Sequence, residues 1–230
     1  VIGFFTGLAS GATVIVSQVY GAKDEQNVSR SVHTAMLLAL GGGAIMTVIG
    51  LLISPTLLVW MKTPPDTMAQ SRDYVDIVFM AMIPGMVYNV GSAVLRAVGD
   101  SRRPLYFLIV SGVINAGLNM FLVIVFSLDV AGVAIATVVS QAISCVLVLR
   151  CLYKSEGSYQ LRFSKLCLKK DYIIPIFQVG IPAGIQSTVI NFSNVLLQSS
   201  VNSFGSIAMA GYTAANNVLG FLYTSVNSVT

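Results

Sequence analysis

The sequence predicts an all-α protein, a polytopic membrane helix bundle, on three observations. Apolar residues make up 55% of the 230 residues and charged ones only 10%, with a mean hydropathy of +0.81, a balance foreign to a soluble domain and to a disordered chain. The uncharged runs reach the roughly 20 residues that an α-helix needs to cross about 30 Å of hydrocarbon, twice what a barrel strand requires. The basic residues alternate from one connection to the next, with eleven of the thirteen Lys and Arg in the first, third and fifth connections. Despite the net charge of +4, this distribution points to a lipid bilayer and not to nucleic acid as the partner of the charges.

Taken in order, the uncharged spans are Val1 to Tyr20, Thr34 to Met61, Ile77 to Leu95, Pro104 to Leu128, Val130 to Leu149, and Tyr172 to Thr230. The last is too long for one helix. The small polar run from Asn202 to Ser206 divides it, giving a seventh span. Gly21 after Tyr20 predicts a left-handed helix C-terminus, and Gly99-Asp100 followed by Pro104 predicts a tight turn into a helix whose first turn tolerates proline. By the positive-inside rule, the connections 21–33, 96–103 and 150–171 are cytoplasmic in a multi-pass protein of the plasma membrane. The chain opens and stops inside apolar runs without a starting Met, which predicts a fragment of a longer protein. Val1, Gly3, Phe4 and Thr13 recur 217 residues later as Val218, Gly220, Phe221 and Thr230, a weak internal repeat of the sort that two-lobed transporters contain.

Within the spans, polar residues fall on particular faces. Gly3, Gly7 and Gly11 lie four apart in the first span, a small-xxx-small spacing that predicts close helix packing ahead of a translocation surface. In the sixth span Ser187, Asn191, Asn194, Gln198 and Asn202 fall within roughly 80° of arc at helical spacing. A carboxamide facing hydrocarbon has no water to bond, so this stripe faces either protein or a wet cavity, and its length favours a lined pathway over interhelical glue. Asn115 and Asn119 are four apart in the fourth span, Thr137, Gln141 and Ser144 share a face in the fifth, and Asn89, Ser92 and Arg96 do so in the third. Pro84-Gly85, and Pro182 between Gly180 and Gly184, interrupt backbone bonding and permit bending.

Enzymatic chemistry has little material here. The nine acidic residues avoid the middle of the spans, so no paired intramembrane acid is available, and the lone His33, beside a charged connection, is expected at the interface and not on a metal. Cys145, Cys151 and Cys167 have neither disulfide nor zinc spacing. No metal site, cofactor or catalytic residue is therefore expected.

Five strings occur in order: Gly7-Leu-Ala-Ser-Gly-Ala running on to Gly21-Ala-Lys23-Asp24, Leu95-Arg96-Ala-Val-Gly99-Asp100-Ser-Arg-Arg-Pro104, Asn115-Ala-Gly-Leu-Asn119, Val130 through Gln141, and Val179-Gly-Ile-Pro182-Ala-Gly. Together they resemble the multidrug and toxic compound extrusion (MATE) family along essentially the whole chain. The resemblance implies about twelve helices in two six-helix lobes that export organic, often cationic and amphipathic, compounds in exchange for protons or sodium by alternating access. On that pattern residues 1–150 are a nearly complete first lobe with five spans, 151–171 a basic cytoplasmic linker, and 172–230 the start of a second lobe with two spans. Small organic substrates would meet Asn115, Asn119 and Gln141 from the first lobe and Ser187, Asn191, Asn194 and Gln198 from the second. Asn119 stands where many members are similar in carrying an aspartate, and Asn191 near a glutamate of some members, so coupling here would use neutral oxygen ligands or acids on other helices. A flippase for lipid-linked oligosaccharide is similar in span order, but its pyrophosphate cargo calls for mid-span cations that this chain lacks.

Overall fold

The computed structural model describes residues 2–60, 65–126, 129–162, 166–202, 211–212 and 214–220, and among these all regular structure is helical. Among the described residues seven long helices follow one another: α1 Ile2–Gly21, α2 Glu25–Trp60, α3 Pro65–Met80, α4 Met82–Ala97, α5 Arg102–Ile124, α6 Asp129–Lys154 and α7 Lys170–Asn202. Among the described residues four stretches, Glu25–Thr56, Arg102–Ile124, Val130–Lys154 and Lys170–Asn194, are long and apolar enough to cross a membrane, and a fifth is added if the bent pair α3–α4 counts as one span. The outer faces are apolar: on α5 alone Leu105, Leu108, Val113, Met120 and Ile124 are more than half exposed. Such a surface would drive aggregation in water and is at home in lipid. The dividing stretch near Asn202 to Ser206, the seventh span beyond it and half of the internal repeat lie largely outside the described residues.

The turns are set by local chemistry. After α1 the left-handed residue is Lys23 (φ 57°), not Gly21 as the sequence suggested. The helix runs through Gly21 before the chain reverses, so the positive φ falls two residues later. Asp24 then receives α2, its carboxylate accepting the Asn27 backbone N–H at 3.1 Å and the Asn27 side chain at 2.7 Å. The turn after α4 follows expectation: Gly99 has φ 89°, and Asp100 N–H closes back on Leu95 O at 2.9 Å. Asp100 accepts the Arg103 N–H at 3.2 Å as α5 starts, repeating the device of Asp24.

Three boundaries differ from the sequence reading. The connection expected over 21–33 is loop only to Asp24, because α2 starts at Glu25 and carries its polar first turns on into the apolar run. The connection before the third span is helical from Pro65, and the expected single span from Ile77 to Leu95 is two helices bent by 42° across Ala81. Pro84 explains the bend, since its ring displaces the carbonyl four residues back and it offers no N–H to Met80. The linker expected over 151–171 is shorter, because α6 runs to Lys154 and α7 begins at Lys170.

The packed core lies at the end of the bundle that carries the basic connections. Val16 of α1, Val28, Val32 and Met36 of α2, Val94 and Leu95 of α4, Val148 and Leu152 of α6, Leu161 of the linker and Ile176 of α7 are all buried there. The linker is folded onto this core, with Leu161 N–H bonded to Leu152 O at 3.0 Å. His33, expected at the interface, is buried at 1% exposure: Nδ1 donates to Ser29 O at 2.6 Å, and Nε2 accepts the Arg162 N–H at 3.0 Å. Thr34 beside it donates to Arg30 O at 2.8 Å and Cys167 O at 3.0 Å. At the far end α2 meets α3 through Ser54, which donates to Asp76, a carboxylate also 3.7 Å from Arg72.

The glycine series of α1 is a packing seam. A Cβ at Gly7 would come 2.6 Å from Gly184 Cα, and one at Gly11 would come 3.2 Å from Gly180 Cα, with backbone atoms closer still. Only glycine on both helices lets α1 and α7 approach this closely.

Candidate functional site

Three helices contribute to one polar cleft of about 370 Å³. Each uses the same positions, i, i+3, i+4 and i+7, which put side chains on one helical face. They are Leu108, Ser111, Gly112 and Asn115 on α5 and Thr137, Ser140, Gln141 and Ser144 on α6; α4 supplies Gly85, Tyr88 and Asn89, with Ser92 next in the series. The cleft exists because α5 packs along α6 and touches α4 only sparsely. Tyr88 bridges the gap, its hydroxyl donating to Pro104 O at 3.3 Å.

Directional hydrogen bonds link the two faces. Asn119 Nδ2 donates to Asn115 Oδ1 at 3.1 Å, Asn115 Nδ2 to Ser140 Oγ at 3.2 Å, and Ser140 Oγ to Thr137 O at 2.9 Å. On α4, Asn89 Nδ2 donates to Gly85 O at 2.8 Å. Gln141 lies over Gly85, where a Cβ would stand 2.7 Å from its Oε1. Asn119 Oδ1 and Ser92 Oγ are buried without a protein partner. A buried carbonyl oxygen left unpaired costs about 1–3 kcal/mol, which sets Asn119 Oδ1 apart from the paired amides around it. Among the described residues no three His, Cys, Asp or Glu side chains cluster as metal ligands, so the oxygens in this cleft are amides, hydroxyls and backbone carbonyls.

Of the sequence candidates, Asn115 and Gln141 line this cleft, and Asn119, outside its lining, is tied to it through its bond to Asn115. Ser187, Asn191 and Asn194 are not part of the cleft: Asn191 and Asn194 are exposed on α7, and Asn191 Nδ2 donates to Ser187 O of its own helix at 2.7 Å. The side chain of Gln198 lies outside the described residues. Sequence reasoning missed Ser111, Ser140 and the space-making role of Gly85, although the spacing of Ser111 with Asn115 and of Ser140 with Ser144 was a readable signal.

Residues 1–121 match the MatE family. The chain belongs to this family. Among curated proteins it is similar to the probable multidrug resistance protein YoeA of Bacillus subtilis (strain 168), with 33% identity over 230 residues, 96% of this chain and 49% of that protein. The chain thus spans about half the length of the curated relatives it matches. Its fold is similar to a solved inward-facing conformation of a multidrug resistance MATE family transporter of the MOP superfamily (TM-score 0.86, 20% identity, 96% of this chain and 51% of that one). It matches a solved outward-facing conformation equally well, with a TM-score of 0.86 at 19% identity over 96% of this chain and 49% of that one.

Proposed function

We propose that this chain is the first lobe and the beginning of the second lobe of a multidrug efflux antiporter, with residues 1–150, 151–171 and 172–230 as lobe, linker and second-lobe start. The cleft between α4, α5 and α6 carries this reading: it gathers hydrogen-bonding oxygens and amides inside an otherwise apolar membrane bundle. Small organic compounds, often cationic and amphipathic, leave the cell in exchange for protons or sodium, and no covalent chemistry is performed on them. The kinship with a probable multidrug resistance protein supports this cargo class.

Asn119 Oδ1, Asn115 and Gln141 serve cation or substrate binding in the first lobe by neutral oxygens. Ser187, Asn191, Asn194 and Gln198 line the opposite wall when the second lobe is in place. The two lobes move as bodies while each keeps its internal packing. The protein sits in the plasma membrane with the charged turns at 21–24 and 98–101 and the linker at 155–169 in the cytoplasm.

The test is transport by the full-length protein in proteoliposomes. An imposed proton or sodium gradient is expected to drive accumulation of a fluorescent organic cation, and Asn115→Leu to abolish it. Absence of cation-dependent movement under both gradients overturns the reading.

A further inference from the structure

We propose that the pocket where α5 begins and α6 ends binds the headgroup phosphate of an anionic phospholipid, held by Arg103, Arg150 and Lys154. The pocket is about 650 Å³ and brings these three cations together with Tyr159, Phe107 and one opposing acid, Glu156. Arg150 and Lys154 are four apart on α6 and therefore share a face, and all three cations are exposed. Arg103 is already oriented across the helix pair: its Nε is 3.2 Å from Asp100 Oδ2 and its Nη1 reaches Cys151 Sγ at 3.6 Å. A guanidinium has five N–H donors in a planar fork, so these two contacts fix its plane and leave donors for phosphate oxygens.

The surroundings select a lipid over a soluble phosphate. Both helices are apolar enough to span a membrane, and the pocket lies at their charged ends, where headgroups sit. Next to its lining residues Phe107 and Leu147, the side chains of Leu105, Leu108 and Val146 are 55%, 56% and 61% exposed. That gives acyl chains an apolar wall running away from the phosphate site. Basic pockets between membrane helices are suited to such headgroups, each cation strengthening binding about fivefold.

The experiment uses the full-length transporter in lipid nanodiscs of phosphatidylcholine with or without phosphatidylglycerol, in a Cys145→Ser, Cys167→Ser background. Cys151 lies in the pocket, so maleimide labelling of it should slow several-fold when phosphatidylglycerol is present. Native mass spectrometry should show retained phosphatidylglycerol, weakened roughly twenty-fivefold in the Arg150→Ala, Lys154→Ala double variant and unchanged in Lys23→Ala, outside the pocket. Equal binding of the two lipids, or an equal loss in Lys23→Ala, overturns the proposal. Protection of Cys151 by millimolar inorganic phosphate in phosphatidylcholine alone would assign the pocket to a soluble anion and overturn it too. Should the double variant fail to fold, the labelling comparison in the unaltered pocket still decides. Neither readout depends on transport, so failure here leaves the antiporter reading standing, and the reverse.

Discussion

At the residue scale, unpaired and over-constrained groups mark where this chain departs from a passive bundle. Asn119 donates to Asn115 yet keeps a buried oxygen unbonded. Asn119→Leu removes one side-chain hydrogen bond within α5, worth about 1 kcal/mol, and at the same time removes the orphan acceptor. The two effects oppose each other, so the variant's thermal midpoint in detergent should stay close to the parent's while cation-driven transport is lost. A large fall in midpoint would mean that Asn119 is structural. His33 predicts the opposite pattern. His33→Leu leaves the Arg162 N–H without its acceptor and removes one of the two ties between the linker and α2, costing about 1–3 kcal/mol. Limited proteolysis should then cut within residues 155–162 sooner than in the parent. His33 was readable in the sequence only as a lone histidine near charge, because its partner lies 129 residues away.

At the scale of elements, glycines separate into two groups that composition alone cannot distinguish. Gly7 and Gly11 meet the backbone of α7, which cannot rotate aside as a side chain can, whereas Gly112 and Gly117 of α5 have nothing within 4 Å. Gly7→Ala should therefore part α1 from α7 and destabilise the fold by about 1–3 kcal/mol, an overpacking effect. Gly112→Ala and Gly117→Ala should be neutral or slightly stabilising, since alanine favours the helix. Thermal unfolding of the three variants side by side checks this, and equal effects would refute the seam. The spacing of four between glycines was enough to anticipate close packing, but not the partner. The bend at Ala81 was likewise prefigured by Pro84, while its 42° angle follows from how α3 and α4 pack on α2 and α6.

For the whole molecule, the buried core and the basic connections occupy the same end, and the apolar lipid-facing surface dominates elsewhere. The bundle is thus anchored at one side, with its polar cleft open where α5 stands away from α4. Val130→Cys and Lys154→Cys lie at opposite ends of α6, roughly 36 Å apart at 1.5 Å per residue. In intact cells, an impermeant maleimide should label the first and reach the second only after permeabilisation. The reverse result would invert the orientation drawn from the basic residues.

The sequence by itself determined the solvent, the helical class, most spans and the MATE kinship, because run length, charge placement and i, i+4 spacing are local properties that hydrocarbon enforces residue by residue. It also named Asn115, Asn119 and Gln141, since a polar face in lipid has to be accounted for. Only the tertiary structure decided which faces meet: that Gly85 yields space to Gln141, that Ser140 joins the two faces, that α7 is held by glycines while Asn191 stays exposed, and that Arg103 reaches Cys151. Those are contacts between residues distant in the chain. They are fixed by how rigid helices of given shape nest against one another, which no periodicity along a single helix encodes.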